Sequence, residues 1–548
     1  KKTQSFYTLT EYNEWLKKTK NNQKWSVKYY KGLGTSNAKE AREYFSNMKM
    51  NNYLYTKDTD DSIQLAFNKN QSDDRKKWLY EYNEKNILDH NQTEVPIESF
   101  IHNELIHFSN SDTFRSIGSL YDGLKPSQRK ILYSCFARKL YSEIRVAQLS
   151  GYVSEKAAYH HGEVSLQSAI IGMAQNYTGS NNINLLMPNG QFGTRIMGGH
   201  DSASSRYIHT ELNPIVNSLF PSLDFPLLEY NDDDGVLVEP KYYVPIIPIV
   251  LINGMNGIGT GFSTSIPKYN PLDVVENMKR KLQKQPYKVN HPWYKGFEGK
   301  IIQLDDNNYM SKGKYTIINN TTIEITELPI GTWTDNYKLF LDKLIGDKKV
   351  ETNFKKPKHI VDYVNNSSDT EVHFIITVPV GLIQSLQWSE NKHVDGIERF
   401  FKLTTTKGLS KQNMHLYNRK NQIYKYTSIS EIYDDFFSIR YALYVKRKEY
   451  YLKILKNELS ILQMKIRFIQ DVINEEIIIY KQKKDDIIQK LYSRSYLQMK
   501  DKEMVEPLKT GLVSGYDYLI KMSIYLFTEE EIEKLNQDHA KKNQEYDN

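Results

Sequence analysis

The strongest constraint on the fold is a run of apolar residues in the last quarter of the chain. From Ile429 onward the sequence has helical character, and it carries apolar residues at alternating spacings of four and three: Leu455, Leu459, Leu462, Ile466, Ile469 and Ile473. This spacing is typical of a coiled-coil seam. The Lys and Glu residues around it predict a solvated antiparallel helix pair, which leads to a compact apolar segment at Gly515–Phe527.

The length predicts a modular protein. The chain has 548 residues, more than one hydrophobic core usually supports, so we expect two to four domains. The longest apolar run, Ile246 to Ile252, is interrupted by Pro248, and no segment is expected to cross a membrane. Cys135 is the only cysteine, which excludes an intramolecular disulfide and favours a reducing, intracellular compartment. Residue 1 is Lys rather than Met, which is typical of a segment of a longer polypeptide.

The charge is compatible with a polyanionic partner without requiring one. The formal net charge is +7 and the pI is near 8.8, but spread over this length such a balance is weak evidence. The abundance of Lys, Asn, Ile and Tyr is explained equally well by AT-rich codon usage.

The amino-terminal region predicts a strand, a turn and a helix. The strand is expected at Trp25–Tyr30 and the turn at Lys31–Gly34, and Asn37 with Glu40 three residues later is typical of a helix cap. The polar stretch Asn51 to Pro96 is interpreted as a connector with one short helix around Asp73 to Tyr82.

The middle of the chain predicts a helical part and then a mixed one. From Ile97 to Pro226 the pattern is dominantly helical. One helix begins near Pro126 and has Ile131, Leu132, Cys135 and Phe136 on one face. Between Pro221 and Val380, period-two runs such as Thr322–Thr326 and Val372–Ile376 predict short strands and a mixed α/β domain.

One loop is a candidate catalytic site. Gly190–Arg195 and Gly198–Tyr207 place many small residues around the pair Arg206 and Tyr207, so a bulky ligand could approach and the phenol could lie exposed. A tyrosine hydroxyl has an ordinary pKa near 10, so attack on phosphorus requires nearby cations. Taken alone, such a dipeptide is more often an ordinary surface turn.

Three upstream motifs add basic and hydrogen-bonding groups near predicted helix starts, where free N–H groups bind phosphate. They are Ser109–Arg115, Asp122–Lys130 and Tyr159–Glu163. The adjacent His160 and His161 do not indicate a zinc site, because neighbouring residues rarely form a tetrahedral ligand set.

These motifs, with Lys28–Ser36, Pro245–Pro248 and Leu251–Gly261, resemble eukaryotic-type DNA topoisomerase II, a type IIA enzyme, from about Phe6 to Lys534. The resemblance implies a multidomain α+β fold. Its expected parts are the rear of a TOPRIM domain at 1–60, a connector at 61–96, a winged-helix domain at 97–225, an α/β tower domain at 226–425, a long antiparallel coiled-coil arm at 426–514, and a carboxyl-terminal dimer gate with a returning helix at 515–548.

The resemblance also implies the roles of individual residues. Tyr207 would attack DNA and become linked to a 5′ phosphate, with Arg206, Arg115 and His161 stabilising the pentacoordinate phosphate. Ile258 would wedge between base pairs and bend the duplex. Backbone contacts would come from Arg75, Lys76, Lys125, Tyr159, Ser165, Trp333 and Lys402. The rival interpretation of Asn256–Gly261 as a nucleotide-binding loop lacks the strand-to-helix setting and the P-loop lysine.

The sequence departs from the family in two respects. Gly331, in Glu327–Trp333, stands where the family usually has a basic residue. The family's acidic magnesium-binding motifs and its ATPase region are also absent, and we expect them upstream of residue 1. The resemblance therefore implies Mg²⁺ held by residues outside this chain, ATP used only by the full-length enzyme, double-stranded DNA as substrate, a homodimer, and a nuclear location.

Two other classes of function remain as alternatives. The missing acidic motifs are compatible with a DNA-binding or dimerising scaffold that lacks catalysis. A coiled-coil structural protein would use only the residues after Ile429 and would leave the ordered motifs unexplained.

Overall fold

The computed structural model describes residues 3–6, 9–19, 24–28, 30, 36–46, 48, 50–89, 92–233, 235–345, 359–386, 392–507 and 515–548. The chain divides into two compact units. The first comprises Lys1–Ser222 and Leu228–Phe437, and the second comprises Leu223–Leu227 and Ser438–Asn548. Helices and strands are interspersed along the chain, which confirms the predicted mixed α+β class.

The first unit begins with short elements: α1 (Leu9–Lys18), α2 (Ala38–Ser46), β1 (Asn52–Leu54), α3 (Thr59–Phe67), α4 (Ser72–Tyr80) and β2 (Glu94–Pro96), and β1 pairs with β2 in parallel. The predicted cap of α2 is confirmed. The Asn37 side chain accepts from the Glu40 amide at 2.9 Å, and the Glu40 carboxylate accepts from the Asn37 amide at 2.8 Å. This reciprocal pair satisfies amide groups that the first helical turn leaves unpaired.

The strand predicted at Trp25–Tyr30 is wrong for the part that is described, because residues 24–28 and 30 have no strand pairing. Lys28 and Tyr30 instead bind the carboxylate of Glu40 through their side chains, at 2.8 Å each. The turn predicted at Lys31–Gly34 lies outside the described residues.

The stretch Asn51 to Pro96 contains two helices, α3 and α4, where one was predicted. Helix α4 matches the prediction at Asp73 to Tyr82 closely. Trp78 and Leu79 of α4 are buried in a cluster that includes Phe262. A few apolar residues therefore pack this polar stretch into a core that it shares with later parts of the chain, which its low apolar content did not indicate.

The next part is mainly helical, as predicted: α5 (Ile97–Phe100), α6 (Ile106–Ser116), α7 (Pro126–Arg138), β3 (Ile144–Arg145), α8 (Val146–Lys156), α9 (Glu163–Ala174), β4 (His209–Thr210) and α10 (Ile215–Leu219). A π turn at Ile101–Leu105 joins α5 to α6, and β3 pairs with β4. Pro126 is the first residue of α7, where its missing N–H costs no hydrogen bond. Ile131, Leu132 and Cys135 are buried on the predicted face, and Phe136 is half-buried.

The rest of the first unit contains β5 (Tyr230–Asp233), β6 (Val236–Pro240), α11 (Ile249–Asn253), β7 (Met255–Ile258), β8 (Ser263–Ile266), α12 (Pro271–Leu282), β9 (Lys300–Gln303), β10 (Tyr309–Lys312), β11 (Lys314–Asn319), β12 (Thr322–Glu327), α13 (Thr334–Ile345), β13 (Asp362–Asn365), β14 (Phe374–Thr377), α14 (Leu382–Leu386), α15 (Gly396–Phe400), β15 (Thr404–Thr405), β16 (Met414–Tyr417) and β17 (Ile423–Tyr426). Four strands form an antiparallel sheet in the order β11, β12, β14, β13. Ile323 and Ile325 of β12 are fully buried, which confirms the predicted alternation. The predicted run Val372–Ile376 becomes strand only from Phe374.

The second unit contains most of α16 (Ile429–Ile473), followed by α17 (Lys484–Ser493), β18 (Gln498–Lys500), β19 (Glu503–Val505), α18 (Asp517–Ile520) and α19 (Glu529–Asp547). The predicted apolar stripe lies on α16. Its first four residues are half-buried, Ile469 is buried and Ile473 is exposed. Lys542 of α19 pairs with Glu458 of α16. Phe468, Tyr496, Tyr516 and Leu519 are buried in the core beside the end of α16. Among the described residues, no helix has both the length and the apolar character needed to cross a bilayer.

Candidate functional site

Tyr207 lies on the loop between α9 and β4, and its side chain is 72% exposed. Its amide donates to the carbonyl of Ser204 at 2.9 Å, which forms a tight turn. The guanidinium carbon of Arg206 lies 5.9 Å from the centre of the Tyr207 ring. The predicted exposure of the phenol is therefore confirmed, and a cation accompanies it.

The loop is anchored by the residue before this pair. The Ser205 hydroxyl donates to the amide oxygen of Gln167 at 2.8 Å, and the Ser205 carbonyl accepts from the amide of Ala147 at 3.1 Å. The Gln167 side chain also donates to Glu163 at 2.8 Å. Gln167 is not among the residues predicted from the sequence. The available signal was its position one helical turn after Glu163, on the same side of a predicted helix.

Two glycines of the loop are required for packing within the protein, whereas the sequence pattern relates the small residues to the approach of a ligand. Gly193 has φ +97°, and a Cβ there would lie 2.6 Å from the backbone of Gly199. Gly198 has φ +62°, and a Cβ there would overlap the indole of Trp333. These positions need glycine because the loop folds back on itself and under Trp333, so the small residues serve packing within the protein.

Arg115, Tyr159 and His161 form a second group. The rings of Tyr159 and His161 lie 5.4 Å apart at an interplanar angle of 78°. Burial raises the pKa of Tyr159, and the nearby positive charge of Arg115 opposes this rise. Arg115 donates to the carboxylate of Asp112 at 3.0 Å. The site thus contains an arginine, a phenol and an imidazole close together, all of them able to hydrogen-bond a phosphate.

The hairpin of β7 and β8 carries Ile258 at its end, where the side chain is 86% exposed. The hairpin packs on the last turn of α6. A Cβ on Gly259 would lie 2.8 Å from the Cα of Thr113, and a Cβ on Gly257 would overlap the carbonyl oxygen of Ser116. Only glycine allows this close approach, which leaves Ile258 projecting from a rigid support.

Arg75 and Lys76 differ in their environment. Arg75 is buried, and its guanidinium donates to the carbonyls of Leu65 and Asn68 at 2.9 and 2.7 Å. It also packs beneath Gly261, so it supports the hairpin of β7 and β8. Lys76 keeps 32% of its side chain exposed and pairs with Asp73 at 2.8 Å.

The other predicted contact residues are spread over the first unit. Lys125 precedes α7 and is half-buried, and this burial lowers the pKa of its ammonium group. Ser165 is exposed in the first turn of α9. The Trp333 indole is half-buried, 5.7 Å from the ring of Tyr177. Lys402 is exposed, with its ammonium 4.6 Å from the centre of the Phe340 ring.

Gly331 has a structural reason for its departure from the family pattern. The amide of Thr332 donates to the carbonyl of Pro329 at 3.0 Å, and Gly331 has φ +78°. A positive φ at the third residue of such a turn favours glycine. A basic side chain at this position would have to accept that backbone conformation.

The described residues do not offer a metal site. Within them, no three His, Cys, Asp or Glu side chains are grouped so that they could hold an ion. His160 instead lies 3.4 Å from the carboxylate of Asp233. The residues present therefore do not fit the magnesium ion that the resemblance implies, and no step of the proposed chemistry is assigned to one.

The chain is similar to known proteins over almost all of its length. Residues 115–548 match the family described as DNA gyrase/topoisomerase IV (A subunit), and residues 1–113 match the C-terminal associated domain of TOPRIM. DNA topoisomerase 2 of Arabidopsis thaliana is 44% identical over 99% of this chain and 38% of its own length. DNA topoisomerase 2-alpha of Rattus norvegicus is 45% identical over 90% of this chain and 32% of its own length.

A solved structure is also similar. The crystal structure of the Plasmodium falciparum topoisomerase II DNA-binding, cleavage and re-ligation domain superposes with a TM-score of 0.80 and 40% identity. The match covers 99% of this chain and 74% of that one. The chain spans less than two fifths of the length of these two curated relatives.

Proposed function

Because this chain belongs to the DNA topoisomerase II family, we propose that it is the part of such an enzyme that binds, cuts and rejoins duplex DNA. The observation that carries the proposal is the Arg206–Tyr207 pair. It is exposed on a loop that is anchored to α8 and α9, and it lies within the stretch that matches the family.

In the proposed reaction the phenolic oxygen of Tyr207 attacks a backbone phosphorus of DNA. A bond forms between that oxygen and phosphorus while the bond from phosphorus to the 3′ oxygen breaks. The proton lost by the phenol is balanced by the proton gained at the 3′ hydroxyl. Because the phosphotyrosine link conserves a phosphodiester bond, the reverse attack by the 3′ hydroxyl rejoins the strand without a nucleotide.

The cationic residues would act on the charge that develops at phosphorus. Arg206 lies beside the phenol, and Arg115 with His161 supplies further donors from the second group. Donors that are already positioned stabilise a pentacoordinate phosphate without reorganising, which usually contributes more to such catalysis than any other single effect. Tyr159 would hold the same phosphate region by a hydrogen bond.

The duplex would be held by sequence-independent contacts and bent by the hairpin. The DNA backbone would be contacted by Lys76, Lys125, Ser165, Trp333 and Lys402. Arg75 would contact the DNA backbone and also support the hairpin. Insertion of Ile258 between base pairs would unstack them at a cost of a few kcal/mol per step, which the additional contacts of the bent duplex offset.

We also propose the domain organisation that the resemblance implies. Residues 1–60 would form the rear of TOPRIM, 97–225 the winged-helix domain after a connector at 61–96, 226–425 the tower, 426–514 the coiled-coil arm, and 515–548 the dimer gate with its returning helix. A homodimer would cut both strands, one with each Tyr207.

The complete enzyme would need components that this chain does not supply. Mg²⁺ would be held by residues outside this chain, where it would supply Lewis-acid chemistry. ATP would drive the directional passage of a second duplex. A nuclear location is proposed because relatives such as the rat protein are eukaryotic DNA topoisomerases, although one relative is named as the mitochondrial enzyme of Dictyostelium discoideum.

The proposal is tested by trapping the covalent adduct. The full-length protein that contains this sequence is mixed with radiolabelled duplex and Mg²⁺, denatured with detergent, and examined for label on the protein. Tyr207→Phe is expected to abolish the label and to leave DNA affinity almost intact, because a hydroxyl that exchanges water for another hydrogen-bond partner contributes little net free energy.

Tyr480→Phe is the matched control. Tyr480 is 74% exposed and has the ammonium of Lys481 5.1 Å from its ring centre, which resembles the setting of Tyr207. Its replacement should leave the label unchanged. Label that persists in Tyr207→Phe would refute the assignment of the nucleophile. Salt-sensitive DNA binding with no label in the unsubstituted protein would support the non-catalytic scaffold instead.

A further inference from the structure

We infer that Asp112 is a positioning residue that joins Arg115 to the wedge hairpin, which is the hairpin of β7 and β8 with Ile258 at its end, so that cleavage responds to bending of the duplex. The inference rests on the proposed function and adds a residue that has no assigned role in it. It follows from the contacts that one carboxylate makes with two parts of the site.

The two oxygens of Asp112 have different partners. Oδ1 accepts from the Arg115 guanidinium at 3.0 Å, one helical turn further along α6. Oδ2 accepts both from the amide and from the hydroxyl of Thr260, each at 3.0 Å. Thr260 lies two positions after Ile258 but 148 residues from Asp112 in the sequence. The carboxylate is therefore a bridge between the hairpin and the arginine.

The rest of the interface makes this bridge stiff. The Thr113 hydroxyl donates to the carbonyl of Thr260 at 2.9 Å. Gly257 and Gly259 lie so close to the backbone of α6 that neither has space for a Cβ. The hairpin and the last turn of α6 thus move as one body. Arg115 belongs to that turn, but its side chain is 43% exposed and is fixed there by Asp112.

The consequence is a mechanical link between DNA shape and chemistry. Ile258 can insert only where the duplex unstacks, and its insertion fixes the hairpin against the bent DNA. Asp112 then holds the guanidinium of Arg115 at a defined distance from Ile258 and from the DNA phosphate that Tyr207 attacks. A displacement of about 1 Å at such a group costs on the order of 100-fold in rate.

The experiment uses the full-length protein and two labelled duplexes. One is fully paired, and the other has a single-nucleotide bulge where the wedge inserts, so that it bends without help. Energy transfer between dyes on the duplex ends measures bending, and detergent trapping measures the rate of adduct formation. The variants are Asp112→Asn, Ile258→Ala and the double variant. Glu14→Gln removes an exposed carboxylate that pairs with Lys18 on α1, and it is the control.

Asp112→Asn is expected to bend both duplexes normally and to form the adduct about 10- to 100-fold more slowly on both. Ile258→Ala should bend the paired duplex poorly and cut it slowly, and the bulge should restore both properties. The double variant should be no slower than the slower single variant, because both changes interrupt one link. Glu14→Gln should match the unsubstituted protein.

Thr260 provides a second test that does not depend on Asp112. Thr260→Val removes the hydroxyl donor to Oδ2 and should slow the adduct, whereas Thr260→Ser keeps the donor and should restore the rate. The inference is overturned if the bulge rescues Asp112→Asn, if Asp112→Asn loses bending as Ile258→Ala does, or if its rate is normal. Absence of any adduct in the unsubstituted protein would overturn the proposed function, and this inference with it.

Discussion

At the scale of single residues, the central question is how an exposed phenol could become a nucleophile. Tyr207 is 72% exposed, and Arg206 is the cation that accompanies its ring. A guanidinium stays charged at any physiological pH and presents several donors in a fixed plane, which suits a phosphate in transition. The proposed chemistry would therefore depend on the placement of charge around the phenol.

Arg206→Ala should slow adduct formation about 100- to 1,000-fold, because it removes a donor that acts mainly in the transition state. Arg206→Lys should recover part of the rate, since it keeps the charge but loses the planar donor set. Single-turnover trapping with saturating DNA separates rate from affinity. Arg138→Ala is the control, because Arg138 also lies over a ring, 5.1 Å from Tyr152. Equal effects of Arg206→Ala and Arg138→Ala would contradict a specific role for Arg206.

The neighbours Arg75 and Lys76 should behave differently on substitution. Lys76→Ala should weaken DNA binding uniformly and lower the slope of log K against log salt by about one, as loss of one phosphate contact does. Arg75→Ala should lower the thermal stability of the first unit, because Arg75 is buried and bonded to two backbone carbonyls.

Fluorescence anisotropy over a range of salt concentrations measures the first effect, and thermal unfolding measures the second. Lys77→Ala is the control for binding, since Lys77 is 76% exposed and pairs with Asp74 on the same helix. A stable Arg75→Ala protein with the reduced salt slope would show that Arg75 acts on DNA rather than on the hairpin.

At the scale of elements, the loop that carries Tyr207 is shaped by contact with another part of the first unit. Gly198 lies under Trp333, and the amide of Asp335 donates to the carbonyl of Ile196 at 3.1 Å. The buried pair of Arg195 and Glu327 holds the same two segments together. The start of α13 is thus part of the support of the candidate site.

Gly198→Ala should distort this support, because its Cβ would overlap Trp333 and its φ of +62° disfavours side chains. We expect a loss of about 1 to 3 kcal/mol in stability and a slower adduct. Gly151→Ala is the matched control. Gly151 is inside α8 with nothing within 4 Å of a Cβ, so alanine should stabilise the protein by about 0.5 to 1 kcal/mol. Thermal melts that rank the two variants the other way would contradict this account of the packing.

The sequence predicts those elements whose signal is local. The cap at Asn37, the start of α7 at Pro126 and the alternation of β12 each depend on residues within a few positions, and each is confirmed. The role of Asp112 could not be read in this way, since its partner lies 148 residues away. The same holds for the burial of Trp78, because it depends on tertiary packing that local composition does not report.

At the scale of the whole molecule, the second unit has an exposed apolar end. Tyr516 and Leu519 are buried in its core, whereas Ile524 is 78% exposed and Tyr525 is 87% exposed. Phe527 packs on Phe468, with ring centres 5.8 Å apart. The short turn Ile524–Leu526, which directly precedes Phe527, is therefore held against the core. A rigid turn that presents two large apolar side chains to water is typical of a surface that a partner covers.

Replacement of these side chains by aspartate should weaken the proposed homodimer. Burial of a large apolar side chain contributes about 1.5 to 3 kcal/mol, so Ile524→Asp and Tyr525→Asp should each raise the dimer dissociation constant about tenfold or more. The measurement is sedimentation equilibrium of the full-length protein over a range of concentrations, without DNA. Circular dichroism should show no loss of helix, because both side chains lie outside the core.

Val380→Asp distinguishes a specific interface from a general effect of added charge. Val380 belongs to the first unit and lies outside the proposed gate. Its side chain is 86% exposed, which is similar to the exposure of Tyr525. Its replacement should leave the dissociation constant unchanged. If Val380→Asp separates the protomers and the two gate variants do not, the dimer is held by a surface of the first unit, and residues 515–548 have another role.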